Sequence, residues 1–121
     1  MNSRHEERVR AGRFIRDGRD FVAVENAQVR LVFWLAHGCD VIEFLHRESE
    51  CDVLWRNLRL QSARAGPLPL PNQDRSEFFD TFNGGWLSSL PSGFPPGDYY
   101  GAPMGTLGEY AQLPWQVDEI R

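Results

Sequence analysis

Seven of the eleven glycines and five of the eight prolines lie between Phe78 and Trp115, a density that no sustained helix survives. Two of the four tryptophans fall in the same stretch. Aromatic side chains set between tight turns suit one of two arrangements. One is a packed corner of an all-β domain; the other is a wall that stacks on a flat or ring-shaped ligand.

The 121-residue length fits one domain and is short for two. A net charge of −4 and a sequence pI of about 5.3 argue against nucleic-acid binding through bulk electrostatics, and the use of arginine for all thirteen basic residues carries no functional weight. Cys39 and Cys51 are too few for a disulfide framework. The opening MNSRHEERVRAGR is charged and lacks an apolar core, so no secretory signal is expected there. No run approaches the apolar length of a membrane-spanning helix, and a cytoplasmic location with no membrane partner is the expectation.

Residues 1–12 read as a flexible N-terminus. Strand character starts near Arg13: Phe14-Ile15, an Asp17-Gly18 turn and Phe21-Val22-Ala23-Val24 form a first hairpin. After a turn at Glu25-Asn26, Gln28 to Ala36 (QVRLVFWLA) is the strongest strand signal. Val29, Leu31, Phe33 and Leu35 share one face; Arg30, Val32, Trp34 and Ala36 share the other, which starts polar and turns apolar. Such a strand suits a sheet half covered by another, as in a sandwich. His37-Gly38-Cys39-Asp40 makes a turn, Val41 to His46 returns, and a polar turn over Glu48–Asp52 leads into Val53-Leu54-Trp55. The short connections predict an antiparallel meander, with Trp34 and Trp55 in its core. From Arg56 to Glu77 periodicity fades, and the Pro-rich run at 67–71 predicts a long loop crossing between sheets. Leu87 to Leu90 reads as a short element, and Leu107 to Ile120 as a strand interrupted by Pro114.

Three kinds of site can be drawn from these residues. His37, Cys39, His46 and Cys51 have the side chains of a zinc site, but their spacing matches no standard finger or ribbon. Packed cysteines and partly exposed histidines are the better account, and no metal is expected. Glu77, Asp80, Asp98 and Glu109 could supply a carboxylate pair for hydrolysis, although nothing fixes their separation. A sugar-binding surface fits better. Trp86, Tyr99, Tyr100 and Trp115 offer apolar faces with polar edges. Asn83, Asp80, Arg56 and Glu109 can hydrogen-bond hydroxyls, and Gly84-Gly85 can take positive φ or let backbone approach a ligand.

The succession Asn83-Gly84-Gly85-Trp86, Leu90-Pro91-Ser92, Tyr100-Gly101, Leu107-Gly108-Glu109 and Leu113-Pro114-Trp115 resembles the aldose 1-epimerase (galactose mutarotase-like) superfamily. Those proteins carry a Gly-Gly-Trp, a Phe-Pro-Asn-like segment, a His-Gly-Glu and a Pro-Trp in that order. Upstream, the meander, Gly38 in a turn, Val41-Ile42-Glu43-Phe44 and Asp52-Val53-Leu54-Trp55 agree, so the resemblance spans roughly residues 20 to 120. It implies an antiparallel β-sandwich of the galactose mutarotase-like type, with residues 13–121 as its N-terminal part and the sandwich incomplete. It implies a carbohydrate-binding protein that interconverts the anomers of an aldose, without cofactor, when completed by downstream residues. Taken with the sugar-surface reading of the residues, the expected substrate-binding residues are Asn83, Gly85, Trp86, Glu109, Arg56 and Tyr100. In the family mechanism a carboxylate takes the proton of the anomeric hydroxyl while a histidine protonates the ring oxygen.

Two departures qualify that expectation. Leu107 stands where the family has a histidine, and the family's acid and base lie downstream of the matched part. A non-catalytic carbohydrate-binding module, or a truncated and inactive fragment, is therefore the alternative. A completing chain or a homo-oligomer remains open as a partner beside the sugar.

Overall fold

The structure, a computed structural model, describes residues 8–56, 84–90, 97–104 and 113–121. Five strands follow one another in a single antiparallel sheet: β1 (Arg10–Arg16), β2 (Arg19–Glu25), β3 (Val29–Trp34), β4 (Asp40–His46) and β5 (Cys51–Asp52). A two-stranded sheet pairs β6 (Gly97–Tyr99) with β7 (Ala102–Met104). The described residues contain no helix, so the class is all-β with antiparallel pairing throughout. No helix among them is long and apolar enough to cross a membrane.

The turns form for local reasons. Asp17 (φ 53°) and Gly18 (φ 71°) both occupy the left-handed region, the geometry a two-residue hairpin needs between twisted strands. The Asn26 side-chain oxygen accepts hydrogen bonds from the Gln28 and Val29 N–H groups, both at 2.8 Å, and so turns the chain from β2 into β3. β1 begins three residues before Arg13, because Arg10, Ala11 and Gly12 extend the ladder opposite Glu25, Val24 and Ala23.

Register decides which face is buried. Phe14, Phe21 and Trp34 lie opposite one another across β1, β2 and β3, with Ala23 opposite Val32 in the next row. These residues, with Ala36 and Ile42, make the core cluster. The Phe14 and Phe21 rings stack with centroids 5.3 Å apart. Between Val32 and Phe33 the β3–β4 register shifts, so that Glu43 faces Val32 while Val41 faces Phe33. Ile42 is the extra residue of this bulge, and it packs against the core.

Several expectations need correction. The third strand stops at Trp34, and Leu35 to Cys39 form the turn. Trp55 is not core: it is 63% exposed, and Val53 is exposed beside it. The fifth strand is Cys51–Asp52 rather than Val53–Trp55, because the Asp52 carboxylate accepts from the Phe44 and Leu54 N–H groups, both at 3.1 Å, and turns the chain there. Leu87 to Leu90 and residues 114–121 adopt no regular strand or helix. The loop expected over Arg56–Glu77 falls almost entirely outside the described residues.

Candidate functional site

The face that carries Trp34 has two zones. Toward one end of β2–β5 it is a ladder of alternating charge. Arg47 donates to Glu25 at 2.9 Å, Arg30 pairs with Glu25 at 3.9 Å and Glu43 at 3.2 Å, and Arg56 reaches Glu43 at 3.3 Å. Arg56 also donates to Asp52. Partial burial pushes the Asp52 carboxyl up, but the Leu54 and Phe44 N–H groups and the Arg56 guanidinium together hold it below the ordinary range.

The second zone is a cavity of about 170 Å³ lined by Arg16, Asp17, Arg19, Phe21, Trp34, Ile42, Arg56 and Gly84. Phe21 and Trp34 come from the aromatic row of the sheet. The Arg19 guanidinium lies 5.2 Å from the Trp34 ring centre, within cation–π range. Arg56 joins the two zones. Its Nη2 carries both Glu43 and Asp52, while its Nε is buried and has no hydrogen-bond partner among the described residues.

The Gly84-Gly85-Trp86 segment closes the cavity by threading against the sheet. Val41 and Trp86 exchange backbone hydrogen bonds at 3.0 and 2.8 Å, Gly85 N–H donates to the Trp55 carbonyl at 2.8 Å, and Arg56 pairs with Gly84. Both glycines have positive φ, 88° and 90°. A Cβ on Gly84 would overlap the Trp55 carbonyl oxygen, and one on Gly85 would sit 2.6 Å from the Val41 carbonyl oxygen. The close approach that these glycines permit is therefore to the chain's own backbone.

Of the sequence-suggested contacts, Arg56 and the Gly85-Trp86 segment are brought together here. Trp86 is 60% exposed. Tyr100 belongs to the two-stranded sheet, at the tip of the β6–β7 turn, where it is 94% exposed with φ 51°. Asn83 and Glu109, like Glu77, Asp80 and Leu107, lie outside the described residues. Trp115 donates its N–H to the Leu35 carbonyl at 2.7 Å, and Gly38 N–H donates to Leu113 at 3.0 Å, which ties the 113–115 segment to the β3–β4 turn.

That turn holds the pair that sequence reasoning missed. His37 and Asp40 are 4% and 3% exposed, and His37 Nδ1 is hydrogen-bonded to Asp40 Oδ2. Burial raises the Asp40 carboxyl, and the His37 contact offsets only part of that. His37 is thus buried rather than partly exposed, Cys51 is exposed and Cys39 half-buried, so the cysteines are not a packed pair. Among the described residues no group of three His, Cys, Asp or Glu is placed to hold a metal. The spacing of His37 and Asp40 across Gly38 was the available signal. Arg16, Arg19 and Trp34 were also missed as site residues; the hairpin register that assembles them with Arg56 is invisible to local periodicity.

No family model, curated protein or solved structure matches the chain.

Proposed function

We propose that this chain is a carbohydrate-binding member of the aldose 1-epimerase family, built as an antiparallel β-sandwich of the galactose mutarotase-like type, and that the cavity beside Trp34 is where the sugar rests. The observation that carries the reading is the meeting of Arg56 with Gly84–Trp86 at the mouth of a cavity with aromatic walls. Arg56 and the Gly-Gly-Trp are both among the residues from which the sugar-binding surface is drawn, and although 27 residues separate Arg56 from Gly84 in the chain, the two share one backbone bridge. Trp34 and Phe21 form the buried aromatic floor of the cavity, 4% and 6% exposed, and the guanidinium groups around it offer directional donors to sugar oxygens.

Binding without turnover is the second reading, and Leu107 favours it. Anomer interconversion needs an acid and a base on opposite sides of the ring, and the family's histidine is replaced at that position. Tryptophan fluorescence during titration with glucose and galactose tests the binding. A saturable change below about 10 mM, equivalent to roughly 3 kcal/mol, supports it, and a flat response counts against it. Polarimetry with freshly dissolved α-glucose separates the two readings: mutarotation above the buffer rate establishes turnover, and the buffer rate alone leaves a binding module.

A further inference from the structure

We infer that the outer edge of β1 docks an acidic, extended segment of a partner protein, which joins the five-stranded sheet as a further strand. The inference is separate from the sugar reading and stands without it.

Three observations support it. First, the edge is open and regular. Among the described residues β1 pairs only with β2, in an unbroken register from Arg10 to Arg16 that contains no proline. Gly12 has no side chain, so its exposure is that of backbone, and Ala11 and Arg13 beside it are exposed as well. Arg16 and Arg19 flank the two-residue turn and so form a hydrogen-bonded pair. Alternation then turns the N–H and C=O groups of Ala11, Arg13 and Ile15 away from β2. Native edges are commonly shortened, bulged, blocked by proline or covered, and this one is none of these among the described residues. Second, its charge has one sign. Arg13 is held by Asp20 at 2.8 Å, whereas Arg10 and Arg16 form no ion pair among the described residues. Glu25, opposite Arg10, is engaged by Arg30 and Arg47 instead. A second β1 laid antiparallel about Arg13 would set Arg10 against Arg16, so charge favours an acidic strand over another copy. Outward amides at strand spacing match a peptide backbone, which favours a protein segment over a nucleic acid. Third, side chains along the edge can select a sequence. Gly12 leaves open space on the Phe14 face, where a large side chain can lie, and Ile15 is 75% exposed on the other face.

Antiparallel pairing sets the sequence of a test peptide. Acids belong opposite Arg16 and Arg10, an aromatic opposite Gly12, and β-formers between, as in Glu-Val-Val-Thr-Phe-Thr-Glu. Fluorescence anisotropy of this labelled peptide, titrated with the full chain at low salt, should rise saturably below about 0.3 mM protein. N-methylation of the central threonine, opposite Arg13, removes a hydrogen bond to the edge and should weaken binding about tenfold. N-methylation of the valine before it, whose N–H points away, should leave binding unchanged. Arg10→Gln should weaken binding about twofold to fivefold, the worth of one exposed ion pair. Ala11→Pro removes an outward N–H without touching the ladder to β2, and should weaken it about tenfold. Circular dichroism of both variants checks that the sheet is retained.

A flat response overturns the inference. So does equal binding by a scrambled peptide of the same composition or by a thymidine oligonucleotide, either of which would make the edge a bare basic patch. Equal loss from the two N-methylations overturns strand addition, and binding that neither variant weakens overturns the location. Sedimentation of the parent chain and Ala11→Pro supplies the remaining arm. A parent dimer that the variant abolishes assigns the edge to a second copy and overturns the acidic partner.

Discussion

The indole of Trp34 lies face to face with the imidazole of His37, with ring centroids 4.9 Å apart and planes 10° apart. His37 in turn is fixed by Asp40, so a core residue of β3 is locked to the turn that follows it. Removing Asp40 leaves His37 Nδ1 buried without its partner. Asp40→Ala should therefore lower stability by about 3 kcal/mol, the cost of breaking a buried polar pair from one side. Urea denaturation followed by tryptophan fluorescence measures it, and a loss under about 1 kcal/mol would show that the pair is not a fastening.

The two perturbed carboxyls predict opposite pH dependences. Asp40 has a raised folded-state value, so its contribution to stability is complete below the ordinary carboxylate range and is lost as pH rises through the folded value. Asp52 has a lowered value, so its contribution is present above the ordinary range and is lost as pH falls through the folded value. Asp40→Asn should gain on the parent protein as pH rises above about 4, and Asp52→Asn should lose ground as pH rises toward about 4 from below. Denaturation midpoints of the three proteins from about pH 2 to about pH 7 check the signs; parallel profiles would contradict both assignments.

A graded glycine series tests the threading of residues 84–86. A Cβ on Gly12 meets nothing within 4 Å, and its φ carries no left-handed requirement, so Gly12→Ala should leave stability unchanged or slightly improved. Gly101 has φ 81° and open space, so Gly101→Ala should cost about 1 kcal/mol in backbone strain alone. Gly85 combines φ 90° with a Cβ contact of 2.6 Å to a backbone oxygen, so Gly85→Ala should cost about 2–4 kcal/mol. Equal losses at Gly85 and Gly101 would show that Val41 yields easily.

The meander was legible because each of its signals is local. Asp17-Gly18 names its turn, and the alternation in QVRLVFWLA correctly separates Val32 and Trp34 from Leu31 and Phe33. Even the polar start of that face has its counterpart, since Arg30 joins the charge ladder while Trp34 joins the core. What escaped depends on partners distant in sequence. Asp40 reads as an ordinary turn residue whether it faces water or His37. Trp55 reads as core from its size, but Asp52 ends the strand two residues into β5 and leaves Trp55 outside. Gly84-Gly85 was legible as a place of positive φ, while the identity of what it approaches, Val41 and Trp55, required the pairing itself.

Trp86 offers the sharpest single-residue test of the proposed sugar site. Its backbone is pinned by the two hydrogen bonds to Val41, so its position does not depend on its side chain. Its 60% exposure means that truncation removes little buried area. Trp86→Ala should therefore cost less than about 1 kcal/mol in stability. If the indole stacks on a bound sugar, the same change should weaken sugar affinity by about fivefold to tenfold, the worth of one aromatic face. Trp86→Phe keeps a ring and should recover most of that loss. Paired denaturation and sugar titrations on the two variants separate the effects. Unchanged affinity in Trp86→Ala would remove Trp86 from the site.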